Sequence, residues 1–429
     1  MEHTFSIIDV FKELPLEEMK TDAKNLNVNY KTKKLDSMTL FALLAQGYLM
    51  TDRLSQRYIC KEADLLSLNK LYGVDIYQGK ISHSSLSERL SAINPKFFED
   101  TYKLLYKKVL DKYGFYPLAK SNIVRVDTTY VSETANKLLE GIKTGVNDRY
   151  GGERRQIKYG IAYDGFGVLV ADIFSKQTQS SDEVALASTV KDAISHNDGG
   201  HYRVYTFDRG VSSSQNLKKI DSLTAEHGVT FVARMKLGRL FKIIKERNVS
   251  DTVDPDGEYE LLQDCDALLR KTNSSKWDDG ITYRIIRVRF ARPRPRSAGA
   301  ASHQRKYQDE MLLITNDFES DAITIANEYK IRWSIEVFFK FLKQNLSFSH
   351  LISVNLNGVK VMLYMTLIMA LLVKLFELET KQGPTMAMLD MKIQIANWLY
   401  LNDKKHKREC KAPSGKATLN SRGKIFRPL

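Results

Sequence analysis

Between residues 123 and 235 the chain alternates β-rich and helical patterns in one particular order, and few folds accommodate it. Short runs rich in Val, Ile and Tyr occupy residues 123–131, 158–163, 168–174 and 202–207. A helical pattern at 182–194 precedes the last of these, and a second, at 213–227, leads into a fifth strand at 229–235. Three strands, then helix, strand, helix and strand, predict a sheet with helices packed on it. With 43% apolar and 27% charged residues the chain can bury a sizeable core around such a sheet.

That order is the one of a ribonuclease H-like α/β layer, the fold class expected for residues 118–400. The segment ahead of it, residues 1–117, reads as an all-α domain: apolar residues recur at helical spacing, as in Met38, Leu40, Phe41 and Leu44, and later Leu104, Leu105 and Leu110. Within it Ser85 and Glu88 have capping-box spacing ahead of Leu90 and Ile93, predicting a helix of about ten residues. This helix follows a helical stretch at 62–71 and carries Ser84, Ser87 and Arg89 on its polar side. It fits a helix-turn-helix reader of a DNA groove, or equally a helical hairpin with an ordinary polar face.

After Met235 a block at about 236–316 has β character of its own, with strands expected at 283–290 and 311–315 and an exposed loop at 291–304. On the first of these strands Arg287 and Arg289 alternate with Ile286, Val288 and Phe290, so one face is cationic; Arg292, Arg294 and Arg296 extend the stripe. Residues 401–429 form a basic tail. From Asp403 on, nine Lys or Arg face only Asp403 and Glu409, a local charge of +7 out of +14 for the whole chain. That excess, with a pI near 9.3, favours a polyanionic partner, and nucleic acid leads.

Other classes fall away. Cys60, Cys265 and Cys410 are isolated, which argues against a disulfide framework or structural zinc. Residues 1–20 lack the basic start and unbroken apolar run of a signal peptide, so an intracellular location is expected. The apolar stretch 359–376 is interrupted by Lys360 and Lys374 and predicts a helix buried in a globular core, with no membrane partner.

The chemistry concentrates in residues 327–346. Wound as one helix, Tyr329, Arg332, Glu336, Lys340 and Lys343 share a face of roughly 80°, opposite Ile331, Ile335, Phe338, Phe341 and Leu342. A solvated amphipathic face with a Glu336–Lys340 pair would look the same. Two further carboxylates favour a functional reading: Asp127 inside the first strand and Asp208 at the end of the fourth, where an acid is costly unless paired or holding a metal. In a ribonuclease H-like sheet those strands are neighbours and a later helix crosses beside them. Asp127, Asp208 and Glu336 would then offer hard oxygen donors to Mg²⁺ or Mn²⁺, with two ions ~3.5–4 Å apart serving phosphoryl transfer on DNA. Asp164 and Asp172 also adjoin strands and read as turn and edge residues.

On these residues the sequence resembles the DDE transposases of bacterial insertion sequences, in the subgroup with a Tyr-x2-Arg-x3-Glu-x6-Lys signature. Tyr329, Arg332, Glu336 and Lys343 match its order and spacing, and Asp208-Arg209-Gly210 is similar to the second-aspartate motif. The resemblance covers roughly residues 118–400. It implies that Asp127, Asp208 and Glu336 are catalytic metal ligands and that Tyr329, Arg332 and Lys343 hold phosphates of the transposon end. It further implies cut-and-paste transposition, often through a hairpin, on double-stranded terminal repeats and target DNA, by a homodimer in the DNA complex, in the bacterial cytoplasm near the nucleoid. In such proteins an aromatic residue of the insertion stacks on a flipped base; Trp277 is the tryptophan available for that here. Lys340, Arg287, Arg289 and Arg89 complete the expected DNA contacts. Two alternatives remain: a nuclease on the same fold that cuts without joining, and a DNA-binding descendant of a transposase that has lost catalysis.

Overall fold

The computed structural model describes residues 5–51, 53–61, 70–73, 76–113, 122–132, 138–147, 152–197, 202–249, 254, 256–271, 276–291 and 310–411. Most of the helical stretch expected at 62–71, the loop with Arg292, Arg294 and Arg296, and residues 412–429 of the basic tail lie outside these.

The described residues before the sheet form helices: α1 (Ile7–Lys12), α2 (Leu16–Asn25), α3 (Ser37–Met50), α4 (Gln56–Lys61), α5 (His83–Ala92) and α6 (Lys96–Tyr113). Their starts follow local chemistry. Asp36 accepts the Thr39 N–H at 2.8 Å to cap α3. In α5 the cap is Ser82, which accepts the Ser85 N–H at 3.1 Å, so the helix begins three residues before the start that Ser85 and Glu88 suggested.

Ten strands among the described residues make one mixed sheet. They are β1 (Ile123–Ser132), β2 (Ile142–Asn147), β3 (Glu153–Tyr163), β4 (Val168–Phe174), β5 (Val204–Phe207), β6 (Thr230–Met235), β7 (Phe241–Glu246), β8 (Tyr259–Arg270), β9 (Trp277–Phe290) and β10 (Glu310–Thr315). The order is β2-β3-β1-β5-β6-β10-β9-β8-β7, with β4 also on β3. β5 runs parallel to β1 and to β6, and the other pairings are antiparallel. The 236–316 block is therefore no separate β-unit: β10 pairs with both β6 and β9 and extends the central sheet into it. Strands β2, β7 and β8 carry weak patterns, and β9 starts at Trp277, six residues before the expected 283.

Between the strands lie α7 (Asp182–Ser195) and α8 (Ser214–His227); α8 is ended by Gly228, whose φ of +64° suits a residue without a Cβ. After β10 come α9 (Ala322–Ile331), α10 (Trp333–Asn345), α11 (Leu356–Thr380) and α12 (Pro384–Lys411). The single helix expected at 327–346 is two helices meeting at Arg332. The last helix runs past position 400 to Lys411.

Each sheet face has its own apolar layer. Val124, Val126, Tyr205 and Phe207 point to one face and pack with α7 and α8. Ile123 and Val204 point to the other and pack with α9. At Gly160 an added Cβ would lie 1.9 Å from the Thr189 Oγ1, so the missing side chain lets α7 approach β3. A third cluster joins the N-terminal helices, α10, α11, α12 and residues of β1 and β3 into one continuous core. Helix α11 is long and apolar enough to cross a membrane, but 83% of its apolar window is buried in this core, as residues 359–376 suggested.

Candidate active site

The β-pleat decides where the two strand aspartates point. Side chains alternate faces along a strand, so Asp127 shares the side of Ile123, and Asp208, just past β5, shares the side of Val204. The register pairs Val126 with Phe207 across parallel strands, so Asp127 and Asp208 are the next positions on adjacent chains, about 4.8 Å apart in the pairing direction. They face the α9–α10 side.

The helix pair brings the third carboxylate. Ile325, Ala326 and Tyr329 bury α9 against the sheet, while Ile335, Phe339 and Leu342 bury α10 and Phe338 stacks on Tyr163 at 4.4 Å. Phe339 takes a core position that the single-helix reading missed, and Ile331, Phe338 and Phe341 are only half-buried. At the junction the N–H of Arg332 donates to the Tyr329 carbonyl and the N–H of Ile335 to the Arg332 carbonyl, a tightened i, i+3 turn. Arg332 is thereby folded inward and is 7% exposed.

Its guanidinium organises the site. Arg332 Nη2 donates to Glu336 Oε1 at 2.6 Å, Nη1 lies 3.7 Å from Asp127 Oδ2, and Nε donates to the Tyr329 hydroxyl at 3.2 Å. That hydroxyl donates in turn to Asp208 Oδ1 at 3.0 Å. Asp127, Asp208 and Glu336 thus converge. Burial pushes the Asp127 carboxyl up to about 6, assisted by the charges of Asp208 and Glu336 and opposed by the Thr128 N–H and by Arg332. A cleft of about 1130 Å³ opens over the group, lined among others by Asp208, Arg234, Tyr329, Arg332, Trp333 and Glu336.

Lys343 reaches the same region: its Nζ donates to Thr129 Oγ1 at 2.6 Å, on the strand face of Asp127. Lys340 is exposed on α10. The other expected contacts stand elsewhere. Arg89 is turned into the helical region, donating from Nε to the Leu35 carbonyl and from Nη2 to the Val28 carbonyl, both at 2.7 Å, so its fork ties α5 to the loop between α2 and α3. Arg289 pairs across the sheet with Glu260 at 3.0 Å and Glu310 at 3.3 Å, and Arg287 lies 3.9 Å from Glu310, so the cationic stripe is charge-balanced by its neighbouring strands. Trp277 opens β9 opposite Arg270 and does not line the cleft. Asp164 is a turn residue, accepting the N–H groups of Phe166 and Gly167 at 2.7 Å, and Asp172 sits on β4 opposite Gly160.

Two contributors escaped sequence reasoning. Arg234, a cation in an otherwise apolar strand, stands in the cleft and acts on Tyr329; its signal was the cost of burying a charge. Glu183, in the first turn of α7, holds the loop that follows Asp208. It accepts from Ser212 and Ser213 N–H at 2.7 and 3.1 Å and from Asn216 Nδ2 at 2.8 Å. Burial opposes ionisation here, but these bonds win and keep its carboxyl below the usual range. Glu183→Ala should cost about 1–3 kcal/mol, measured by denaturant unfolding. Because the folded-state pKa is depressed, the wild-type advantage should be present above the unfolded value near 4.5 and disappear as pH falls through the folded one.

The donor set fits a hard divalent cation: three carboxylates, one of them pushed up by burial to about 6 even beside Arg332. As the side chains lie, no three Asp, Glu, His or Cys groups among the described residues are close enough to hold one ion. Arg332 stands among the carboxylates in that arrangement.

A mixed α/β protein with two adjacent strand aspartates and a helix-borne glutamate beside a cleft is the class that fold and site define. Residues 123–372, more than half of the chain, match the family model described as a transposase DDE domain, and the chain belongs to that family. Among curated relatives it is 28% identical over 144 residues to a putative transposase, y4zB, of Sinorhizobium fredii (34% of this chain, 35% of that one). It is 35% identical over 105 residues to a putative transposase for insertion sequence element IS4SA of Synechocystis sp. (21% and 31%). It is 24% identical over 258 residues to a probable transposase for insertion sequence element IS5377 of Geobacillus stearothermophilus (60% and 57%). The chain thus spans about a third of the length of the first two. Among solved structures, the piggyBac transposase in a synaptic complex with hairpin DNA is similar with a TM-score of 0.45 and 11% identity, covering 96% of this chain and 84% of that one, a likeness too loose to bear on the site.

Proposed function

We propose that this chain is a transposase that cuts double-stranded DNA at the ends of an insertion sequence and joins the freed ends to target DNA, through a divalent-metal centre on a ribonuclease H-like core. The observation that carries this is the convergence of Asp127, Asp208 and Glu336 around one guanidinium that lines a cleft, within the residues matched by the family. Parallel β1, β5 and β6 flanked by α7 and α8 support the core assignment. The three carboxylates would hold Mg²⁺ or Mn²⁺, as one or two ions, which when bound supplies the Lewis acidity for attack of water or a 3′-hydroxyl on a phosphodiester. Around it Lys343, Lys340 and Arg234 hold backbone phosphates by charge, and Tyr329 keeps the Asp208 carboxylate oriented.

The N-terminal helices are proposed as the DNA-binding unit that recognises the terminal repeats, because base readout needs a rigid element fitting a groove. A homodimer acting on paired ends by cut-and-paste, inside the bacterial cell and away from membranes, completes the reading.

The test is to incubate the purified protein and Mg²⁺ with the DNA flanking its own gene and map the products. New 3′-hydroxyl ends at inverted repeats, followed by joined products, support the proposal. Ends without joining would favour a nuclease, and binding without ends a non-catalytic DNA-binding protein. Lys343→Ala should weaken end binding and reduce the salt slope of that binding by about one unit. An unchanged slope would make its bond to Thr129 a purely structural one.

A further inference from the structure

Arg332 has the geometry of a counter-ion and not of a surface cation. It is 7% exposed, it contacts Glu336 at 2.6 Å and Asp127 at 3.7 Å, and it reaches Asp208 through the Tyr329 hydroxyl by bonds of 3.2 and 3.0 Å. One guanidinium therefore engages all three members of the acidic set. A fully charged group this buried is costly unless its donors are used, and three converging carboxylates repel one another unless a cation lies among them. Each satisfies the other's requirement.

We propose that Arg332 is a positioning residue that serves as the internal cation of the metal-free centre, so that the guanidinium and a divalent ion compete for the same carboxylates. The proposal rests on the metal-centre reading above. The junction of α9 and α10 is what makes it possible: the i, i+3 turn at Arg332 folds the side chain back over its own helix start, where Glu336 lies one turn on. Loading an ion on Asp127 and Glu336 then requires breaking the 2.6 Å bond and displacing a cation, which lowers the ion's apparent affinity. The same contact holds the carboxylates near their working positions before any ion arrives.

The experiment is a Mn²⁺ titration of the full chain, read by the electron paramagnetic resonance signal of free Mn²⁺, with thermal melts in EDTA and in Mn²⁺ alongside. Arg332→Gln removes the charge and keeps much of the side-chain volume. It should bind Mn²⁺ at least tenfold more tightly than wild type, melt lower than wild type in EDTA, and gain more from Mn²⁺. Tyr329→Phe, which severs only the branch to Asp208, should fall between the two and serves if Arg332→Gln does not fold. Equal or weaker Mn²⁺ binding by Arg332→Gln, or by Tyr329→Phe in its stead, overturns the competition while leaving the metal centre intact. If neither wild type nor variant binds Mn²⁺, or if Asp127→Asn leaves that binding unchanged, the metal-centre reading itself fails and takes this one with it.

Discussion

Asp127→Ala, Asp208→Ala and Glu336→Ala are each expected to lower DNA cleavage by about a thousandfold or more, roughly 4 kcal/mol of lost transition-state stabilisation, while changing end binding only a few-fold. On the proposed reading each would remove ligand oxygen and none a phosphate-holding cation, so rate and affinity should separate. Asp208→Ala also strips the Tyr329 hydroxyl of its acceptor, and Glu336→Ala strips Arg332 of its shortest bond, so stability must be followed in parallel. Asp172→Ala is the useful control: it too is an acidic strand residue with a carboxyl pushed up by burial to about 6, but it lies on β4 with Thr189 and Asp192 of α7 as its neighbours, apart from the Arg332 cluster. Cleavage within a few-fold of wild type is expected there. Single-turnover cleavage and filter binding on the same DNA check all four, and a triad variant that cuts at the wild-type rate would remove that residue from the centre.

The second large effect runs in the opposite direction. Asp127→Asn should stabilise the metal-free protein at pH 7 by about 1–3 kcal/mol, because an ionised Asp127, 23% exposed, is held in a site that favours its neutral form. A folded-state value near 6 against 3.8 unfolded means that the folded chain binds the proton more tightly. Stability conferred by this group therefore falls as pH rises from about 3.8 to about 6, and the deficit is fully present above that. The variant should melt a few degrees higher than wild type in EDTA at pH 7, and the difference should vanish below pH 4. A variant less stable than wild type at pH 7 would mean that the pairing with Arg332 outweighs the burial. A site that resists its own ionised carboxylate is the expected cost of holding one ready for a cation.

How much of this was legible in the sequence depends on the range of the interaction involved. Strands β1 and β5 announce themselves as runs rich in Val, Ile and Tyr, and the pleat carries Asp127 and Asp208 to one face, but choosing Asp127 over Asp164 and Asp172 took the family resemblance. The spacing of Tyr329, Arg332, Glu336 and Lys343 was equally visible, and the structure brings the first three together. The break at Arg332 was not, since no Pro or Gly marks it and only tertiary packing of α9 on one layer and α10 on another requires it. Arg287 and Arg289 read as a DNA-facing stripe because Glu260 and Glu310, which balance them, arrive from other strands and leave no periodic trace. The carbonyl partners of Arg89 at Val28 and Leu35 likewise lie far back in the chain and leave no local trace. Strand β7 was obscured by its exposed charged residues and β8 by inward acids, Asp264 and Asp266, that pair with Arg284 and Arg247, so the continuity of the sheet through the 236–316 block could not be read.

Asp127, Asp208 and Glu336 are proposed to bind one metal centre, and Fe²⁺ substituted for Mg²⁺ tests this directly. With ascorbate and peroxide, bound Fe²⁺ generates hydroxyl radicals that cut nearby backbone, and the fragments report what surrounds the ion. Cuts are expected to cluster at residues near 127, 208 and 336 together, to be suppressed by excess Mg²⁺ and to be absent from Asp127→Asn. Cuts confined to one of these segments, or lying elsewhere in the chain, would contradict it.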